Sequence, residues 1–308
     1  MNVNEKKILG YITIYEDKIA SLKCLEAIES QTLPVDLIFI VDNSKEQLLE
    51  NSNNKLRLIY HFPSNIGISQ GLILALEWGI KENYDFLWAF DQDSVPASDC
   101  LEALLEEYYN LTQQGEKIGI LAPVAFDNRS QLFIGGVDFK NDKFIHHKFD
   151  KLAHIYKCDA PITSGSLIDL KAAALTEFPL VDLFIDGVDF DYGLKFNKQG
   201  FSNFVVTKAK LKHDYGTPIN IKIANFNWSF QSYSPLRYYY SSRNTTYLAI
   251  HYAKDFYKLT ACIHRIKTMI LKVIAIIFFE KNHKVNKIYA YLIGTYHGFI
   301  QNLAYKWQ

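Results

Sequence analysis

Short apolar runs rich in β-branched residues alternate with segments of helical spacing along the first third of the chain. Residues 8–15 (ILGYITIY) form a continuous apolar run that predicts a buried strand. Residues 19–28 then carry apolar side chains at helical spacing, and 35–41 (VDLIFIV) predict a second strand ending at Asp42-Asn43-Ser44. A third strand is expected over 56–60, followed by the loop Pro63-Ser64-Asn65-Ile66-Gly67. A helix is expected over 68–80, and a fourth strand over 86–90 that ends at Asp91. Strands alternating with helices predict a parallel sheet with helices on both faces. In such sheets ligands gather at the carboxyl ends of strands, where Tyr15, Asp42 and Asp91 fall.

The pattern changes after Leu121. Shorter strands are expected near 132–137 and 144–156, with Gly135-Gly136 as a turn or bulge. A helix is expected over about 187–197 and a strand over 204–207. From Pro235 the chain reads as helical to its end. The run Met269 to Phe279 (MILKVIAIIFF) is too short and interrupted to cross a bilayer, which takes about 20 apolar residues.

Composition narrows the class. Of 308 residues 49% are hydrophobic and 21% charged, which excludes a disordered or fibrous chain. The formal net charge of zero argues against a nucleic-acid partner, since phosphate binding needs a concentrated basic surface. Cys24, Cys100, Cys158 and Cys262 form no CxxC pair and are expected as free thiols in a reducing compartment. The polar start leads straight into the first strand without a signal-peptide pattern, so a cytoplasmic location is expected. From His251 onward nine Lys or Arg face two acids, Asp255 and Glu280, which makes the tail basic.

Four features could carry chemistry. Asp91-Gln92-Asp93-Ser94 places two carboxylates at a strand end, where they suit either a hard divalent cation or a solvated acidic turn. Asp186 and Asp189 lie three apart and would share a face of a helix, with Asp191 pointing elsewhere. A carboxylate near a helix start is held ionised by the dipole and could accept a proton from a hydroxyl; the alternative is a cap with exposed acids. His213 follows a strand and could add an imidazole ligand or be an ordinary surface or core histidine. Arg237 and Arg243, six apart, fall on different faces of a helix. At most one of them would reach a ligand, and the alternative is a connecting helix with exposed guanidinium groups.

In order and spacing, the chain from about Ile8 to Asn244 resembles the family 2 glycosyltransferases with the GT-A fold, in the bacterial rhamnosyltransferase and galactofuranosyltransferase branch. The residues that carry the likeness are Thr13-Ile14-Tyr15, Val41-Asp42-Asn43-Ser44, Asn65-Ile66-Gly67, Asp91-Gln92-Asp93-Ser94, Ser164-Gly165-Ser166, Asp186 to Lys195, His213 and Arg237 to Asn244. The resemblance implies an α/β fold, a Rossmann-like and mostly parallel sheet flanked by helices, over 1–233, and a helical region over 234–308. It implies that Thr13 and Tyr15 line the nucleotide base, with Asn65 also on the nucleotide-sugar side. Asp42 would accept from the pyrimidine, Asp91 would sit near ribose and metal, and Ser164 would lie beside the donor sugar. Asp91, Asp93 and His213 would hold Mg2+ or Mn2+. Asp189 would be the base that deprotonates the acceptor hydroxyl, with Asp191 and Asp186 as acceptor contacts. Two positions depart from the pattern: Val188 stands where another acid is frequent, and Lys195 where an Arg is common, the latter bearing on a structural ion pair.

The implied donor is dTDP-rhamnose first and a UDP-sugar next, and the acceptor a saccharide or lipid-linked saccharide. The basic apolar tail fits a peripheral place on the inner face of the cell membrane, a second copy of the chain, or both. Two other readings stay open: a nucleotidyltransferase that makes a nucleotide-sugar, against which the acidic Tyr15-Glu16-Asp17 stands, and a non-catalytic scaffold.

Overall fold

A computed structural model describes residues 6–50, 55–147, 153–214, 216–223 and 226–307. The elements run β1 (Ile8–Ile14), α1 (Lys18–Glu29), β2 (Leu37–Asp42), β3 (Arg57–His61), α2 (Gly67–Lys81), β4 (Phe86–Asp91), β5 (Ser94–Pro96) and α3 (Cys100–Gln113). Then follow β6 (Ile118–Asp127), β7 (Leu132–Ile134), β8 (Val137–Lys140), β9 (Lys143–His146), β10 (Ile155–Cys158), β11 (Ser166–Asp169) and α4 (Leu170–Ala174). The last are α5 (Val188–Lys198), β12 (Ser202–His213), β13 (Thr217–Ile223), β14 (Phe226–Ser232), α6 (Pro235–Tyr252), α7 (Tyr257–Phe279) and α8 (Lys284–Phe299).

The main sheet has the order β10-β12-β6-β11-β4-β1-β2-β3, with β5 paired to β12 and β7 to β6. Strands β3, β2, β1 and β4 are parallel. Every residue of β1 is buried, as expected for a strand covered on both faces. The chain order reverses between β1 and β4, so their carboxyl ends form the crevice where an open α/β sheet binds ligands. Gly71 of α2 makes that packing close: a Cβ there would stand 2.7 Å from the Tyr11 hydroxyl oxygen. Beyond β4 the sheet turns mixed, because β11 runs antiparallel between β4 and β6.

The chain divides into two compact units. The first comprises 1–138, 146–181 and 188–214, and its core runs from Ile8, Ile12 and Ile14 through Trp88 and Phe90 to Val206 and Leu211. The second comprises 139–145, 182–187 and 215–308. In it the hairpin β13–β14 accompanies helices α6 to α8, whose core holds Tyr238, Tyr239, Tyr240, Ile276 and Tyr291. Helix α6 starts on Ser234, whose hydroxyl accepts from the Arg237 N–H, with Pro235 in the first turn where a missing N–H costs nothing.

Three expectations are corrected in detail. The strand expected over 144–156 is two strands, β9 ending at His146 and β10 starting at Ile155; residues 148–152 lie outside the described residues. The strand expected over 204–207 runs on to His213. Its second half alternates exposed Lys208, Lys210 and Lys212 with buried Ala209, Leu211 and His213. Asp186 is not helical: it has φ 61, and α5 begins two residues later at Val188.

Candidate active site

Backbone pairing assembles the first cluster. Asp91 closes β4 opposite Thr13 of β1, and three residues later the short β5 pairs with the end of β12, setting Ser94 opposite His213. A register shift in β12 between Val206 and Lys210 precedes the alternation that turns His213 inward. One ligand atom from each of Asp91, Asp93 and His213 then lies within 4.8 Å of the other two. Asp93 Oδ1 stands 3.3 Å from His213 Nδ1, with the carboxylate 41% exposed and the imidazole 8%. Two carboxylates and an imidazole at one partly open point fit a hard divalent cation such as Mg2+ or Mn2+, which leaves coordination positions for phosphate oxygens.

Behind the cluster runs a hydroxyl relay that the sequence did not disclose. The Asp91 N–H donates to Ser164 Oγ at 3.0 Å, Ser164 Oγ and Ser94 Oγ are 2.6 Å apart, and Ser94 Oγ is 2.8 Å from His213 Nδ1. Both serines are buried. Ser94 and Asp93 thus address the same ring nitrogen, Nδ1, and together set the orientation of the imidazole. The turn that delivers Ser164 needs Gly165, which has φ +80 and whose missing Cβ would stand 2.7 Å from Pro123. Its N–H donates to Ala89 O, and its carbonyl accepts from Trp88 Nε1 at 2.9 Å. Ser164, expected beside the donor sugar, sits next to the Asp91, Asp93 and His213 cluster.

The nucleotide-side residues divide into two groups. Tyr15 is 52% exposed, and Gln92 grips its backbone, accepting from the N–H and donating to the carbonyl. Thr13 is buried beside Asn43, whose amide donates to the Thr13 hydroxyl at 3.3 Å and accepts from Ile66 N–H at 3.0 Å. Asn43 thus ties the tip of β1 to the start of α2. Asn65, in the left-handed region at φ 45, turns its carbonyl oxygen back to Gly67 N–H. Asp42 departs from expectation. It is fully buried, and its two oxygens accept from Ser44 N–H at 3.0 Å and Leu48 N–H at 2.7 Å. Its carboxylate organises the loop after β2 and offers no face to a pyrimidine in this conformation.

The second acidic stretch separates into three roles. Asp189 sits half-buried in the first turn of α5, its Oδ1 accepting from Phe190 N–H at 3.0 Å. The helix dipole there favours the ionised carboxylate. Asp191, expected as an acceptor contact, is fully buried. It accepts from Leu180 N–H and from Lys195 Nζ, both at 2.8 Å, and Lys195 also reaches Phe178 O. This is the structural ion pair anticipated at Lys195, and it removes Asp191 from the acceptor. Leu180 O in turn accepts from Ser69 Oγ, so one segment links α2 to α5.

Asp186 belongs to the second unit. It pairs with Arg237, whose Nη2 lies 3.1 Å from its Oδ1. Asn244 Nδ2 donates to the carbonyls of Leu183, Ile185 and Asp186 at 2.8, 2.7 and 2.8 Å. These bonds hold a turn in which Phe184, Asp186 and Gly187 all have positive φ. Arg243 overturns the picture of exposed guanidinium groups. It is fully buried and donates to the carbonyls of Asp182, Leu303 and Tyr305 while lying over the Tyr240 ring. Desolvation pulls its pKa below the usual guanidinium value. The Arg237 to Asn244 motif is thus a brace for the turn before Asp189.

No family model matches the chain. Among curated proteins, dTDP-rhamnosyl transferase RfbF of Shigella flexneri is 22% identical over 304 residues, covering 97% of this chain and 96% of that protein. Among solved structures, GalNAc-T7, crystallised with UDP, GalNAc and Mn2+, superposes with a TM-score of 0.63 at 14% identity. The alignment covers 87% of this chain and 52% of GalNAc-T7, so the chain matches about half the length of that structure. The shared architecture and the relative aligned from end to end agree with the order of the elements and the Asp-Asp-His cluster: the chain has the GT-A fold and is similar along its whole length to a rhamnosyl transferase.

Proposed function

We propose that the protein is a metal-dependent, inverting glycosyltransferase that moves a sugar from a nucleoside-diphosphate donor to an acceptor hydroxyl. Rhamnose from dTDP-rhamnose is the favoured donor sugar, with a UDP-sugar second. The observation that carries the reading is the convergence of Asp91, Asp93 and His213 at the carboxyl end of β4. The full-length alignment with a dTDP-rhamnosyl transferase supports the choice of donor. The acceptor is a saccharide or lipid-linked saccharide of the cell surface, met at the inner face of the membrane.

A divalent ion held by the three donors would neutralise charge on the departing nucleoside diphosphate, the main electrostatic task of this reaction. The protein's own side chains do the rest. Thr13 and Tyr15 border the base, Asn43 and Asn65 shape the loop beside it, and Ser94 and Ser164 hold His213 in register. Asp189 accepts the proton from the acceptor hydroxyl while that oxygen attacks the anomeric carbon from the face opposite the leaving group, which inverts the configuration. A positioned base of this kind contributes about 10²–10⁴ in rate. Asp191 and Lys195 position α5, and with it Asp189, without touching substrate.

Proton NMR of the product formed from dTDP-rhamnose, Mn2+ and a saccharide acceptor tests the reading. The expected product carries the anomeric configuration opposite to the donor's. A product with retained configuration would overturn the role of Asp189, and pyrophosphate released from a nucleoside triphosphate plus a sugar phosphate would favour a nucleotidyltransferase.

A further inference from the structure

Between the two acids at the end of β4 stands Gln92, whose side chain reaches the loop that follows β1. Strands β1 and β4 pair only as far as Thr13 and Asp91. Beyond that point the Gln92 carboxamide takes the place of a further backbone rung. Its Oε1 accepts from the Tyr15 N–H at 2.6 Å, and its Nε2 donates to the Tyr15 carbonyl at 2.9 Å. A carboxamide carries both donors and an acceptor, so this one side chain satisfies both backbone groups of a single residue. Ser21 of α1 adds its hydroxyl, 3.3 Å from the same Oε1.

The loop that Gln92 holds is strained. Glu16, next to Tyr15, has φ 55, a left-handed conformation that persists at a residue with a side chain only where the surroundings fix it. From the side of β2, Ser44 Oγ accepts from the Glu16 N–H at 2.8 Å, and the Glu16 carboxylate accepts from the Lys45 N–H at 2.9 Å. From the side of β4 the hold is Gln92. Tyr15 is therefore fixed through its backbone while its side chain stays open to solvent, as a stacking platform for a base requires. Asp91 and Asp93 flank Gln92 directly, so a shift of that turn on taking up a cation is carried to Tyr15 through the two hydrogen bonds.

We propose that Gln92 is a positioning residue of the donor site: through it the turn that bears Asp91 and Asp93 sets the place of Tyr15, so that nucleobase and metal-bound diphosphate are gripped together. The proposal rests on the donor site described above, with Tyr15 against the base and the metal on Asp91, Asp93 and His213. Gln92 acts through Tyr15 and not on the ligand. A residue of this kind couples the two ends of one ligand, whereas one that only stabilises the fold would weaken both ends or neither.

Calorimetry of the intact protein with dTDP and with inorganic pyrophosphate, each in the presence of Mn2+, tests it. Pyrophosphate engages the metal side alone, and dTDP engages the metal and the base side. Gln92→Ala should lower dTDP affinity by about tenfold and leave pyrophosphate affinity within about twofold. In a Tyr15→Ala background the same change should cost dTDP less than about twofold, since its effect runs through Tyr15. Hydrogen exchange of the unliganded protein reads the contact directly: the Tyr15 amide should exchange about tenfold faster or more in Gln92→Ala, with melting temperature retained. Equal losses for both probes, undiminished dTDP affinity, additive losses in the double variant or an unchanged Tyr15 amide would overturn the proposal and leave the donor site standing. Wild-type protein that binds neither probe with Mn2+ would instead overturn the donor site, and the proposal with it.

Discussion

Two acidic stretches look alike in the sequence and behave differently in the fold. Asp91-x-Asp93 is joined by His213 from more than a hundred residues away, and the three donors converge within 4.8 Å. The stretch Asp186-x-x-Asp189-x-Asp191 does the reverse: its three carboxylates part company. Asp186 takes Arg237, Asp191 takes Lys195 in the core, and Asp189 stays half-buried at the start of a helix. The difference lies in the backbone. Paired strands force the first set together, whereas a left-handed turn and a helix start send successive side chains of the second in different directions. Density of acids along a chain therefore says little about a metal site until the strands that carry them are known.

The contrast makes graded predictions. Asp189→Asn should lower transfer by about 10²–10⁴ with nucleotide affinity unchanged, measured by single-turnover kinetics; full turnover in that variant would remove Asp189 as the base. Asp191→Asn should instead act on folding, costing about 3–5 kcal/mol in denaturant titration because Lys195 is left as a buried unpaired cation. Replacing Asp191 and Lys195 together by leucine should recover much of that loss. In the convergent cluster, Asp93→Asn should weaken Mn2+-linked nucleotide binding by about a hundredfold and Ser94→Ala by about tenfold, the latter through His213 orientation alone. Calorimetry separates the two. Arg237→Ala should have the smallest effect, about 1 kcal/mol of stability, since its pair with Asp186 is partly solvated. A loss as large as that of Asp191→Asn would mean that the brace before Asp189 is a core element.

The parallel half of the sheet was legible because each strand is a continuous apolar run and each helix shows its own period. The bounds of β1, α1, α2, β4 and α5 shift by only a residue or two from those expected. The mixed half was not. β11 is four residues long and its pairing with β4 and β6 is non-local. The extension of β12 was readable in principle, from the Lys-apolar alternation over 208–213. Asp91, Asp93 and His213 could be named from the sequence, but their convergence rests on the pairing of β5 with β12, which no local pattern announces. Asp42 and Asp191 show the other failure: an acid in a matching motif can be consumed by the fold. Asn43, Asn244 and the Ser94–Ser164 relay were missed as working parts because neutral side chains that bind backbone or one another carry no spacing signature.

Calorimetric titration of the intact protein with dTDP and with UDP, each with and without Mn2+, decides whether Asp91, Asp93 and His213 serve the donor. One nucleotide, dTDP first, should bind in the presence of Mn2+, and binding should be largely lost without it or in Asp93→Asn. Binding indifferent to Mn2+, or no binding of either nucleotide, would contradict a donor site built on Asp91, Asp93 and His213.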